Sequence, residues 1–108
     1  MYQSKMKSDE TDHLFEAILS LRDIEECYRF FDDLCTFSEI QAMTQRFHVA
    51  SELYDKSTFT QISEKVGTSS TTITRVNKCL NYGADGYKTV LARLKESRDA
   101  AADSDAAP

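Results

Sequence analysis

Residues 58–80 read TFTQISEKVGTSSTTITRVNKCL, and this segment restricts the folds open to the chain. Thr58 and Gln61 form a helix-start pattern, in which the hydroxyl accepts from the third helical N–H and the amide reaches back to the capping residue. Gly67 stands where a helix ends in a residue of positive φ. Ser69 is then placed to begin a second helix. The spacing predicts two short helices joined by a tight turn, which is the helix-turn-helix pattern.

The second of these predicted helices has two different faces. Ile73, Val76 and Leu80 recur at helical spacing and are expected to be buried. The residues between them are hydroxyls, amides and cations without any acid, and such side chains contact base edges and phosphates in a DNA major groove. The candidate DNA-binding residues of this helix are Ser69, Ser70, Thr71, Thr74, Arg75 and Lys78. A serine- and threonine-rich surface helix without function is the alternative interpretation.

The first of the two helices is expected to place its amino-terminal end near the DNA backbone. Free N–H groups at a helix start attract anions, so Thr60 and Gln61 are candidate DNA contacts. Lys56 and Lys65 lie close by in sequence and are expected to add phosphate contacts.

The charge distribution agrees with a local anion-binding surface. The chain has a net charge of −5, but residues 56–95 contain seven Lys and Arg against two Asp and Glu. Residues 1–55 contain five Lys and Arg against twelve Asp and Glu, and residues 96–108 contain one basic residue against four acidic ones. Because physiological salt screens charges beyond about 8 Å, a basic segment can bind phosphate while the rest of the chain repels it.

Capping patterns and apolar spacing predict four further helices. One starts near Asp12, two follow Asp23 and Thr36, and Asp85 is expected to cap a last one. The side chains expected on the inner face of that last helix are Tyr87, Val90, Leu91 and Leu94. With only three Gly and one Pro in 108 residues, the chain is predicted to be all-α.

The predicted organisation has three parts. Residues 1–11 form a flexible start, residues 12–96 form one helical domain, and residues 97–108 form a disordered acidic tail. Adjacent apolar pairs such as Leu14/Phe15 and Phe30/Phe31 widen the apolar arcs of the first helices. Either a partner chain covers these arcs or they form the core of a monomer.

Several functional classes are not expected. No apolar run approaches the about 20 residues that span a bilayer, and no signal peptide is seen, so a cytoplasmic protein is expected. Cys27, Cys35 and Cys79 form no metal-binding spacing with the two histidines and are expected to be reduced and buried. The sequence contains no Ser-His-Asp set and no glycine-rich phosphate loop, so neither enzymatic activity nor a cofactor is expected.

With these motifs assembled, the chain resembles the tryptophan repressor family, and in particular its YerC/YecD-like branch. The resemblance covers about residues 14–94 and depends mainly on TFSEIQAMTQRF (residues 36–47) and GTSSTTITR (residues 67–75). It implies a six-helix, intertwined homodimer in which the amino-terminal helices of two chains share one core. Each subunit then projects a helix-turn-helix toward double-stranded DNA.

The resemblance also implies an amino-acid corepressor held by two arginines, and Arg46 and Arg75 match those positions. A guanidinium binds a carboxylate through two parallel hydrogen bonds, which suits that role. The chain departs from the family at Val76, where tryptophan repressors have a glycine, and at Cys79, where they have a serine. An isopropyl group collides with an indole in a close-packed site, so tryptophan is not expected to bind. Either a smaller amino acid occupies the pocket or Val76 fills it.

Two functional hypotheses follow. In the first, the chain is a dimeric, sequence-specific helix-turn-helix regulator of transcription and most simply a repressor, with a small amino acid as a candidate effector. In the second, it is a helical protein–protein interaction module that does not bind DNA, which only the acidic residues 1–55 and the acidic tail favour.

Overall fold

Six helices make up the computed structural model, which describes residues 2–106 and the side chains of residues 2–102. They are α1 (Asp9–Leu19), α2 (Ile24–Leu34), α3 (Phe37–Tyr54), α4 (Phe59–Val66), α5 (Ser70–Tyr82) and α6 (Gly86–Ala106). No strand occurs within residues 2–106, which confirms the all-α prediction. In that same range no helix is both long and apolar enough to cross a membrane.

The helix starts follow the capping residues of the sequence. Asp23 accepts from the Glu26 backbone N–H at 2.8 Å and so caps α2. At α3, the Thr36 hydroxyl accepts from the Glu39 N–H at 3.2 Å, and the Glu39 carboxylate accepts from the Thr36 N–H at 2.8 Å. Each such cap satisfies a backbone donor that the helix itself leaves unpaired.

Both ends of the chain are more helical than the sequence analysis predicted. The helix α1 starts at Asp9 rather than near residue 12, because the Ser8 side chain caps it by accepting from the Thr11 N–H at 3.0 Å. The helix α6 continues to Ala106, whereas the sequence analysis predicted a disordered tail from residue 97. Alanine is the strongest helix former, and this stretch contains no glycine or proline to end the helix. The remainder of the predicted tail, residues 107–108, lies outside the described residues.

Asp85 and the inner face of α6 also differ in detail from the prediction. Asp85 precedes the helix and its carbonyl accepts from the Thr89 N–H, but its φ of 65° is left-handed rather than the extended geometry typical of a capping residue. Leu91 is buried and Tyr87 packs against the core, whereas Val90 and Leu94 are exposed.

The chain divides into two compact units, with the boundary between Ile40 and Gln41. The second unit contains the buried apolar core, to which α3, α4, α5 and α6 all contribute. Its members are Val49, Ala50, Ile62, Ile73, Val76, Leu80 and Leu91.

The first unit has no comparable core. Neither α1 nor α2 contains a fully buried residue. Several of its apolar side chains are instead largely exposed, with Leu19 at 84%, Ile24 at 75% and Phe37 at 82% of their full accessible area. The cysteines were predicted to be buried, but Cys27 and Cys79 are exposed and Cys35 is half-buried.

Candidate nucleic-acid interface

The helix-turn-helix of the second unit is built from local hydrogen bonds. The Thr58 hydroxyl accepts from the Gln61 N–H at 3.1 Å, and the Gln61 side-chain oxygen accepts from the Thr58 N–H at 2.8 Å, so the predicted capping box at the start of α4 is confirmed. Gly67 ends α4 with a φ of 73°, as predicted. The turn that follows is fixed by the Ser63 hydroxyl, which donates to the Thr68 carbonyl at 3.1 Å.

The helix α5 is held in place by its apolar face. The Ser69 hydroxyl caps it by accepting from the Thr72 N–H at 3.3 Å. Ile73, Val76 and Leu80 are all buried in the core, which confirms their predicted role. Because these three residues share one side of the helix, the opposite side is left free to face solvent.

Five of the predicted DNA-binding residues lie together on that opposite side of α5. All are exposed, and they line one shallow surface depression of about 450 Å³. They are Ser70, Thr71, Thr74, Arg75 and Lys78, and we call this surface the α5 face. It combines two cations and three hydroxyl groups with no carboxylate, so its electrostatic potential favours an anion.

The other three predicted residues lie at helix starts rather than on the α5 face. Thr60 is exposed in the first turn of α4. The side-chain oxygen of Gln61 is engaged in the capping box, which leaves its NH₂ group to donate to a phosphate. Ser69 is engaged as the cap of α5. Gln61 and Ser69 therefore take part in helix capping, whereas the sequence analysis assigned them both helix capping and DNA contact.

The four residues of the suggested corepressor pocket do not share one environment. Arg75 is exposed on the α5 face, while Val76 is 2% exposed and belongs to the core. Arg46 on α3 and Cys79 on α5 are exposed. Val76 thus fills space inside the second unit instead of lining an open cavity.

One interaction near the helix-turn-helix was missed from the sequence. Lys65, expected to contact phosphate, places its Nζ 2.7 Å from Oε1 of Glu52 on α3. The Ser57 hydroxyl donates to Oε2 of the same carboxylate at 2.8 Å. Glu52 and Lys65 are 13 positions apart, and no periodicity links residues at that separation, so only the three-dimensional fold brings them together.

The same contacts make stability depend on pH. The hydrogen bond from Lys65, followed by that from Ser57, holds the pKa of Glu52 below its ordinary value of 4.5. The backbone N–H of Thr36 likewise lowers the pKa of Glu39. A carboxyl with a lowered folded-state pKa stabilises the fold above its unfolded pKa and loses that contribution as the pH falls through the folded value.

We therefore expect the free energy of unfolding to decrease between about pH 5 and pH 3. Urea unfolding of the wild type across this range measures the effect. A double variant with Glu39→Gln and Glu52→Gln has no charge to lose at these positions, so its stability should depend less steeply on pH. Equal slopes for both proteins would contradict the assignment.

Comparisons with known proteins agree with this architecture. The family model described as Trp repressor protein matches residues 9–95. The uncharacterized protein YerC of Bacillus subtilis (strain 168) is 52% identical over 97 residues, which covers 90% of this chain and 93% of that protein.

Two solved structures are similar to most of the chain. A TrpR-like protein from Eubacterium eligens superposes with a TM-score of 0.81 at 50% identity, covering 84% of this chain and 94% of that one. A protein from Staphylococcus aureus, described as a candidate Trp repressor, superposes with a TM-score of 0.80 at 44% identity. The match covers 84% of this chain and 91% of that one. With a family model that spans most of its length and relatives at this level of identity, the chain belongs to the Trp repressor protein family.

Proposed function

We propose that this chain is a sequence-specific, double-stranded DNA-binding regulator of transcription, acting as a dimeric repressor. The observation that supports it best is the α5 face, which is exposed, has no acidic residue and is backed by three buried apolar residues. A rigid helix with such a face can enter a major groove without pushing a carboxylate against phosphate. The location that we propose for this regulator is the cytoplasm.

The cations and threonines of the α5 face have different parts in the proposed recognition. Arg75 can donate two parallel hydrogen bonds to guanine, and Lys78 can bind phosphate as a point charge. Thr71 and Thr74 can read base edges through their hydroxyls and contact a thymine methyl group through their own methyl groups. The face therefore offers both base contacts, which give specificity, and phosphate contacts, which give affinity.

The dimer is supported by the exposed apolar side chains of the first unit. Phe15 and Leu19 of α1, with Ile24 and Tyr28 of α2, present apolar area to solvent that a second copy of the chain would cover. A two-fold dimer would then present two α5 faces to half-sites about 34 Å apart, one turn of DNA. Sedimentation of the purified protein measures the subunit number.

The buried side chain of Val76 bears on which amino acid could act as an effector. Val76 is 2% exposed and occupies space inside the core. By the family resemblance, a bound indole would lie against this position, where a close-packed core leaves no room for it. We therefore expect no heat of binding when the protein is titrated with tryptophan in a calorimeter. Smaller amino acids belong in the same titration, because Arg46 and Arg75 retain the guanidinium groups that bind a carboxylate. Micromolar affinity for tryptophan would contradict this prediction.

Selection of bound genomic fragments, followed by substitutions on the α5 face, tests the proposed function. Thr71→Ala and Thr74→Ala should change which sequences are selected. Lys78→Ala should weaken binding to all of them by a similar factor. It should also reduce the slope of log K against log salt by about one for each subunit. Equal effects of every substitution on all sequences would argue against base readers on this face. No retardation of any fragment at low salt would favour a protein-docking module instead.

A further inference from the structure

Glu52 connects three segments of the second unit. It lies in the last turns of α3, and its side chain is only 14% exposed. One carboxylate oxygen binds Lys65 of α4 at 2.7 Å, and the other accepts from the Ser57 hydroxyl in the turn between the two helices at 2.8 Å. The backbone carbonyl of Glu52 also accepts from the Ser57 N–H at 3.0 Å. Nε2 of His48, one turn earlier on α3, lies 3.6 Å from the same carboxylate.

These contacts hold a segment that has little else to fix it. The turn contains Lys56 at a φ of 68°, a conformation that non-glycine residues adopt at a cost. The helix α4 has only eight residues, and Ile62 is its one fully buried side chain within the described part of the chain. Val66, one turn later on the same side of α4, is only partly buried against the core, so the apolar anchors lie along one line and leave the short helix some freedom to rotate about it. A directional ion pair on another side removes that freedom.

We propose that Glu52 is a positioning residue, which orients α4 on α3 and thereby sets the angle at which the α5 face meets DNA. This inference depends on the proposed function, since the angle matters only if α5 binds a duplex. The helix α5 follows α4 across the short turn at Gly67 and contacts it, so a rotation of α4 moves the α5 face as well. Small misalignments of this kind weaken several contacts at once.

The proposal also changes the role of Lys65. A lysine that contacts phosphate contributes to the salt dependence of binding, and its loss reduces the slope of log K against log salt. Lys65 instead has its ammonium group on Glu52. Lys65→Gln should therefore weaken DNA binding without changing that slope, whereas Lys78→Gln should reduce it.

The experiment compares the wild-type chain with Glu52→Gln, with Lys65→Gln and with the charge-swapped double variant Glu52→Lys, Lys65→Glu. Two measurements are made on each, namely amide hydrogen exchange of α4 without DNA and affinity for a genomic duplex over a range of salt concentrations. Glu64→Gln is the matched control, because Glu64 is an exposed carboxylate on α4 itself. Circular dichroism at the start establishes that each variant is folded.

Loss of one charge-assisted hydrogen bond is expected to increase α4 exchange about 10-fold and to lower DNA affinity about 5- to 10-fold in both single variants. The salt slope should stay unchanged, and the charge swap should restore most of the protection and affinity. Wild-type exchange and affinity in Glu52→Gln would overturn the proposal. So would a lowered salt slope in Lys65→Gln, or a charge swap that is no better than either single variant.

The two measurements separate this inference from the proposed function. Failure of the wild type to bind any duplex at low salt overturns the DNA-binding proposal, while the exchange data still decide whether Glu52 orients α4. If Glu52→Gln does not fold, Ser57→Ala and Lys65→Gln each remove one of the two hydrogen bonds to the Glu52 carboxylate. Unchanged α4 exchange in both would overturn the positioning role.

Discussion

Replacing Arg75 and Lys78 together by glutamate is expected to reduce the affinity for duplex DNA by at least about 100-fold at physiological salt. Both side chains are exposed on the α5 face. The double substitution removes two cations per subunit and adds two carboxylates, so an attraction to phosphate becomes a repulsion in each half of a dimer. Fluorescence anisotropy with a labelled genomic duplex measures the loss.

A matched control separates this effect from the change in net charge. Arg93 and Arg98 are exposed on α6 and do not line the α5 face, and their replacement by glutamate changes the net charge by the same amount. The control should lose far less affinity, because salt screens charges that lie beyond about 8 Å from the DNA. Comparable losses in both proteins would mean that overall charge, and not the α5 face, determines binding.

Substitution of Ile73 by alanine is expected to lower the free energy of unfolding by about 2–4 kcal/mol. Ile73 is fully buried among the core residues of the second unit. Removing the three carbon atoms beyond Cβ loses buried apolar area and leaves a cavity that neighbouring side chains fill only in part. For a domain of this size the loss corresponds to a decrease in Tm of about 10 °C or more, measured by calorimetry at a fixed protein concentration.

The adjacent position on the same helix supplies the control. Thr74 is exposed, and alanine has the higher helix propensity, so Thr74→Ala should leave stability within about 0.5 kcal/mol of the wild type. The two substitutions are thus expected to affect different properties of the protein. Ile73→Ala changes stability, and Thr74→Ala changes the DNA sequences that are selected. A large loss of stability from Thr74→Ala would show that the two faces of α5 have been assigned the wrong way round.

The helix starts and the helix-turn-helix were predictable because they depend on residues close together in sequence. The capping box of Thr58 and Gln61 links residues three positions apart, and the left-handed Gly67 reflects a conformation that glycine adopts without strain. The buried face of α5 follows from helical periodicity alone. The same local reasoning identified the five exposed residues that the structure brings together on the α5 face.

The errors arose where the sequence signal was ambiguous. The acidic, alanine-rich residues from Ser97 onward resemble a disordered tail in composition, but alanine also has the highest helix propensity and α6 continues to Ala106. Val90 and Leu94 fit the inner face of α6 by spacing but are exposed, because periodicity does not say how wide the buried arc is.

A second class of features could not be predicted at all, because it depends on tertiary contacts. Glu52 reads as an ordinary surface acid of α3, yet the fold places it between Ser57 and Lys65 with little exposure. Lys65 reads as a free cation beside the helix-turn-helix, which led to its assignment as a phosphate contact. Long charged side chains can pair with partners at many different sequence separations, so their partners become evident only when the helices are packed.

The DNA-binding role of the α5 face can be judged from the wild-type protein alone, by measuring its affinity for a genomic duplex at a series of salt concentrations. With the one phosphate contact of Lys78 in each subunit of a dimer, log K should fall linearly with log salt at a slope of about −1.8 or steeper. Absence of binding to any duplex at low salt, or an affinity that does not change with salt, would contradict the proposed role of the face.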